Sequence, residues 1–323
     1  MPLMTEDAPD WHALIQEGRH EEFVLELRRS AERAKVIAAK RPPWPVLAKE
    51  LLVLRELAHT VLLDGDRDSL SPVTLRPPID GCWLLKEAGS LRGRRLNPEH
   101  ELVLQQVGAY SSALLDHLFG LASVMLGDPP VRPALVLSRV LLDAASHLAY
   151  LIEPGIDAAT RTTRAANIRL EGLFAELADA ELDANHDTES PLRLRKEIDV
   201  VYARGKADGL VRVTSRKGIA QRHFEPALVT TQEMSELVLQ SLGPSTWRLL
   251  SSVVHAQDRS VIEFVTGRGD THQRVQGRAY GALHTAPSVL GTTEALKLLA
   301  TATGRDNSEL TAQADRVNEP FSL

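Results

Sequence analysis

The residues best placed to do chemistry interrupt an otherwise apolar stretch. In RPALVLSRVLLDAASHLAYLI, residues 132–152, Arg139, Asp143 and His147 follow one another at intervals of four, which puts all three on one face of a helix. Charge on so apolar a helix must be paired or must open to a cleft, because burying it alone is expensive. Two outcomes are open. Arg139 can pair with Asp143 while His147 bonds a carbonyl, or the face can hold a ligand, with Ser146 and Tyr150 beside it. A second group begins at TRTTRAANIRL, where Arg161, Arg164 and Asn167 recur at intervals of three. A short turn joins the two segments, so the start of the second helix returns close to His147 and Tyr150. Paired arginines suit phosphate or carboxylate through bidentate hydrogen bonds; they suit salt bridges to Glu153 or Asp157 equally well. The third group lies in STWRLLSSVVHAQ. Arg248 and His255 are two helical turns apart, with Ser251 and Ser252 between them. A guanidinium that stabilises phosphorane charge and an imidazole that moves a proton could together cleave a phosphodiester without a metal, and an unshifted histidine titrates in the right range.

Other chemistries lack their signatures. There is no G-x-x-x-x-G-K-[ST], G-x-S-x-G or H-E-x-x-H motif, and no strand precedes a G-x-G-x-x-G, so the common nucleotide and hydrolase folds and their cofactors are not expected. A mononuclear metal site would need Asp116, His117, Asp143 and His147 to converge from two helices; the spacing is generic, and no metal is expected. The basic loop GRGDTHQRVQGRAYG, residues 267–281, reads as a surface loop.

The elements that must position these groups are helical, since apolar residues recur at three and four rather than at two. One or two amphipathic helices are expected over residues 10–40, ended by Arg41-Pro42-Pro43, and another over about 45–63. Residues 64–97 carry Pro72, Pro77, Pro78, Gly81, Gly89 and Gly93 and read as loop with one short helix near Trp83. This divides an N-terminal helical extension, 1–97, from a core domain, 98–323. Within the core, Asn97-Pro98 looks like an N-cap and first-turn proline opening a helix to Gly127. Helices over 132–152, from the Asp157 cap to 182, 191–207, 244 to 257 or beyond, 288–303 and 307–317 follow. Leu210–Thr214 is expected to pair with Ala227–Thr231 as a small hairpin. The fold class is therefore all-α, a multi-helix bundle with one small β-hairpin.

Composition limits the partners. The chain has 323 residues, 43% hydrophobic and 25% charged, enough for a large core without disulfides. Its single Cys82 fits a reducing compartment, and the acidic start MPLMTEDAPDW, with its longest apolar runs, such as Leu118–Leu126, far short of the roughly 20 residues that span a bilayer, gives no reason to expect secretion or membrane insertion; a cytoplasmic location is expected. A net charge of −6 argues against coating nucleic acid. The distribution is less plain: an acidic stretch, Glu171 to Glu189, is followed by a basic one, Arg193 to Arg222, which either binds an anion or an RNA backbone or pairs internally with its acidic neighbour.

The block from Arg132 to Arg164, together with WRLLSSVVHA, resembles helical proteins of actinobacteria and, more distantly, the HEPN superfamily of higher eukaryote and prokaryote nucleotide-binding domains. That resemblance implies a four-helix core, a homodimer and, in many members, a metal-independent endoribonuclease whose R-x(4–6)-H motif works across the dimer. Arg248 and His255, with six residues between, match it at its upper limit. The implied function is an endoribonuclease or defence-type effector in which Arg248 and His255 are catalytic and the basic stretch steers RNA. The alternative is a non-catalytic helical binding or scaffold protein, in which Arg139, Asp143, His147, Arg161, Arg164, Ser251 and Ser252 form a network or hold an anionic ligand.

Overall fold

The computed structural model describes residues 44–64, 74–90, 97–126, 131–182, 189–214, 222–254 and 271–319. Helices dominate: α1 (Trp44–Leu62), α2 (Trp83–Ser90), α3 (Asn97–Leu126), α4 (Val131–Leu151), α5 (Ala158–Leu182) and α6 (Glu189–Ala207) come first. Then follow the short α7 (Thr231–Met234) and α8 (Glu236–Leu239), a 3₁₀ turn at Gln240–Leu242, α9 (Gly243–Val254), α10 (Thr271–Ala302) and α11 (Ser308–Asn318). The protein is an all-α multi-helix bundle.

The apolar segment read from the sequence is the centre of this bundle. α4 packs against α3, α9 and α10, and α1 against α3 and α11. Leu135, Leu141, Leu142, Leu148 and Leu151 are all but fully buried and share one core with Leu51 and Leu54 of α1, Leu114, Leu118 and Leu121 of α3 and Val289, Leu296 and Leu299 of α10. Burial of its apolar sides confines the charged groups of α4 to one face, and its serines stay within the helix: Ser138 and Ser146 return their hydroxyls to the Ala134 and Leu142 carbonyls at 2.7 and 2.6 Å. Segments Glu101–Leu126 and Pro133–Leu151 are long and apolar enough to cross a membrane, beyond what the short apolar runs led one to expect. In the bundle they are the helices around which the others pack.

α5 and α6 form an antiparallel arm with a second, smaller core of Ala166, Leu170, Leu173, Leu194, Ile198, Tyr202 and Phe224. The hairpin closing it differs from the expected one. Arg212–Thr214 (β3) pairs antiparallel with Arg222–Phe224 (β4), Val213 opposite His223, whereas residues 227–230 carry no regular structure and Thr230 caps α7. The helix start is encoded by a capping box: Thr230 accepts from the Glu233 backbone and Glu233 from the Thr230 backbone. That local motif outweighs the β-propensity of Ala227–Thr231. A second, two-residue pairing, β1 (Leu63–Asp64) with β2 (Thr74–Leu75), was not foreseen.

The Gly-rich stretch also departs from expectation. Residues 271–281 are helical and begin α10, which runs on through Pro287. Glycine and proline lower helix propensity, but packing along α4 from Thr285 onward supplies the stability that propensity lacks. The helices expected over residues 10–40 lie outside the described residues.

Candidate functional site

The polar face of α4 is a closed network that joins three helices. Arg139 forms an ion pair with Asp143 one turn on and lies over the Trp247 ring of α9, 4.2 Å from its centroid. The Trp247 indole N–H donates to Asp143 Oδ1 at 3.0 Å, so one carboxylate receives both the intrahelical cation and the interhelical donor. His147 Nδ1 lies 2.9 Å from the Asp143 backbone carbonyl. A carbonyl only accepts, so Nδ1 carries the proton and Nε2 is left as the lone-pair nitrogen. The imidazole stacks on Tyr110 of α3 with centroids 4.9 Å apart and planes 17° from parallel.

Burial sets the charge states. Desolvation, reinforced by the nearby Arg139, pulls His147 down to about 4, so it is neutral at physiological pH. Burial lowers Arg139 only to about 10, leaving it cationic. Tyr110 is pushed up to about 12 by burial, with Glu171 adding to the effect. A neutral histidine beside a paired arginine is a packing and hydrogen-bonding unit and is a poor general acid at neutral pH.

The second group is committed to the backbone. Gly155, at φ +84°, turns the chain after α4, and Asp157 caps α5 by accepting from the Thr160 N–H at 2.7 Å; that bond also holds the Asp157 carboxyl below its usual range. Arg161 then points back with no exposed surface. Its guanidinium donates to the Leu151 carbonyl and, at 3.0 Å, to the Glu153 carbonyl, and lies over the Trp83 ring, 4.3 Å from its centroid. Arg164 donates to the Tyr150 carbonyl at 2.7 Å and to Glu153 Oε2 at 2.5 Å, over the face of Tyr150. The two arginines therefore satisfy carbonyls that the end of α4 leaves open. Asn167 faces elsewhere: its amide donates to the Phe224 and Pro226 carbonyls at 3.0 Å each and accepts from the Phe224 N–H at 2.7 Å, fastening β4 to α5.

The third group is the most open. Arg248 is exposed on α9, and its guanidinium lies against the Gln232 side-chain amide, whose oxygen accepts at 2.9 and 3.2 Å once the amide is turned end for end. Ser251 and Ser252 are half-buried, and Ser252 donates to the Leu249 carbonyl at 2.7 Å. His255 lies outside the described residues. Among the described residues no group of three or more His, Cys, Asp or Glu could hold a metal ion.

Sequence reasoning missed Trp247. The signal was present, because an indole N–H that enters a core needs an acceptor and the Asp143 carboxylate has a second oxygen to offer beside the one that Arg139 takes. In the charged stretches, Arg195 pairs with Glu181 at 2.7 Å and Arg169 with Glu197 at 2.5 Å and Glu176 at 3.5 Å, so part of the acidic and basic runs does neutralise internally. No protein-family model, curated protein or solved structure matches the chain.

Proposed function

We propose that this is a non-catalytic helical binding and scaffold protein that engages its partner through surface helix faces. One observation carries the reading: Arg139, Asp143, His147, Arg161 and Arg164 are consumed by contacts within the protein. A guanidinium with no exposed surface has nothing to offer an incoming phosphate, and a neutral stacked imidazole offers little charge to one. The expected outcome is that phosphate, nucleotides and polyphosphate leave the melting temperature unchanged. It is equally expected that purified protein in EDTA leaves varied RNAs intact.

A second reading, a HEPN-like metal-independent endoribonuclease, draws support from Arg248, the one predicted site arginine that is solvent-exposed. In it, Arg248 stabilises the scissile phosphate and His255 moves the proton. RNA cleavage in EDTA that disappears in both Arg248→Ala and His255→Ala, with parental melting behaviour in each, would establish this reading and overturn the first.

A further inference from the structure

A fork opens where α5 leaves the bundle. Ala165 and Ile168 are buried in the main core, while Leu170 and Leu173 already serve the core of the arm. Just past this point Glu171 is exposed, and a Cβ added to Gly172 would meet nothing within 4 Å. Arg164, Ile168 and Glu171 follow one stripe of α5. Arg164 is fixed to the Tyr150 carbonyl at the end of α4, and the two helices run antiparallel. One turn back on α4 therefore sets His147 beside Ile168, at the base of the fork below Glu171. Tyr110 of α3 lies flat on His147 there, close enough to Glu171 for the carboxylate to add to the rise in the phenol's pKa.

The polar groups around this fork are acceptors with capacity to spare. His147 Nε2 keeps its lone pair, because Nδ1 gives the ring's one proton to the Asp143 carbonyl. Gln106, one turn before Tyr110, donates its amide N–H to the Ala165 carbonyl at 3.0 Å and leaves Oε1 buried without a donor. Glu171 and the Tyr110 hydroxyl have no hydrogen-bond or ion-pair partner among the described residues. The neighbouring cations are already matched, Arg139 with Asp143 and Arg164 with Glu153, so the charge of Glu171 is uncompensated. We propose that the fork between α3, α4 and α5 binds an organic cation through its N–H groups, an ammonium or guanidinium that faces Glu171 and donates to His147 Nε2 and Gln106 Oε1. An anion would meet the Glu171 charge, and an apolar ligand would bury acceptors without donors. A metal ion would lack ligands, since no suitable group of three exists among the described residues. The inference stands beside either functional reading, because Arg248 and the outer helix faces take no part in it.

Nuclear magnetic resonance titration of the isotope-labelled full chain at neutral pH tests it, with four probes: butylammonium, a doubly capped arginine, tetramethylammonium and butyrate. The first two should bind with a Kd below about 10 mM. Tetramethylammonium, which has charge but no N–H, and butyrate, which has the wrong charge, should not. Tighter binding of butylammonium makes the natural occupant a free amine, and tighter binding of the capped arginine makes it a basic side chain of a partner. Glu171→Gln, at an exposed position that leaves the melt unchanged, should weaken binding at least about tenfold. The His147 Nε2 resonance should move upfield on titration as its lone pair accepts a hydrogen bond, and His147→Gln assigns that resonance. The proposal is overturned if neither N–H cation binds, or if tetramethylammonium or butyrate binds as well as they do. Binding that survives Glu171→Gln, or that leaves the His147 Nε2 resonance in place at saturation, overturns it equally.

Discussion

Arg161→Met separates a structural arginine from a ligand-binding one, because the two roles give changes of opposite sign. Arg161 has no exposed surface, donates to the carbonyls of Leu151 and Glu153 and lies over Trp83. Methionine keeps much of the volume and the contact with the indole but leaves two buried carbonyls without donors. Each charge-assisted bond contributes about 1.5–3 kcal/mol, and a desolvated cation–π contact about 2 kcal/mol, part of which methionine retains. The expected loss is about 4 kcal/mol, a large share of the roughly 5–15 kcal/mol that holds a typical domain folded. Urea unfolding followed by circular dichroism measures it. Arg161→Lys keeps the charge but not the fork geometry and should recover about half of that loss. A fall of less than about 1 kcal/mol for Arg161→Met would refute the reasoning. A gain in stability would point instead to a buried charge held ready for an anion.

Three further outcomes follow from the same geometry. His147 is held neutral, with a folded value near 4 against an ordinary 6.5, so the unfolded chain binds the extra proton. Stability should be full above about pH 6.5 and fall by up to about 3 kcal/mol as pH drops toward 4, and unfolding midpoints of parent and His147→Gln across that window measure this histidine's share. Asn167→Ala removes three hydrogen bonds at a buried position and should cost about 3 kcal/mol; faster hydrogen exchange at the Phe224 amide would locate the loosening at the hairpin. Gly205→Ala places a Cβ 2.2 Å from the Phe224 ring, and the overpacked arm core should lose about 2 kcal/mol, visible as a lowered Tm, while Gly172→Ala, where a Cβ meets nothing within 4 Å, should be neutral or slightly stabilising.

The sequence by itself determined the helical class and most helix limits. Periods of three and four, the Asp157 cap and the Glu153-Pro154-Gly155 stop are local signals, and the helices formed where those signals lay. It also placed Arg139, Asp143 and His147 on one face, since the interval of four fixes that wherever a helix forms. What that face meets was decided in three dimensions. Trp247 lies over a hundred residues away in the chain, and only the packing of α9 on α4 brings its N–H to Asp143 and its ring to Arg139. The direction of Arg161 was likewise undetermined, because paired arginines at a helix start serve a phosphate and a set of open carbonyls equally well. The end of α4 turns back within their reach, and the low dielectric of the core makes satisfying those carbonyls more favourable than facing solvent. The helix through Pro287 was settled in the same way, by packing against α4 that outweighs local propensity, whereas the hairpin partner of β3 followed from a local signal, the Thr230–Glu233 capping box.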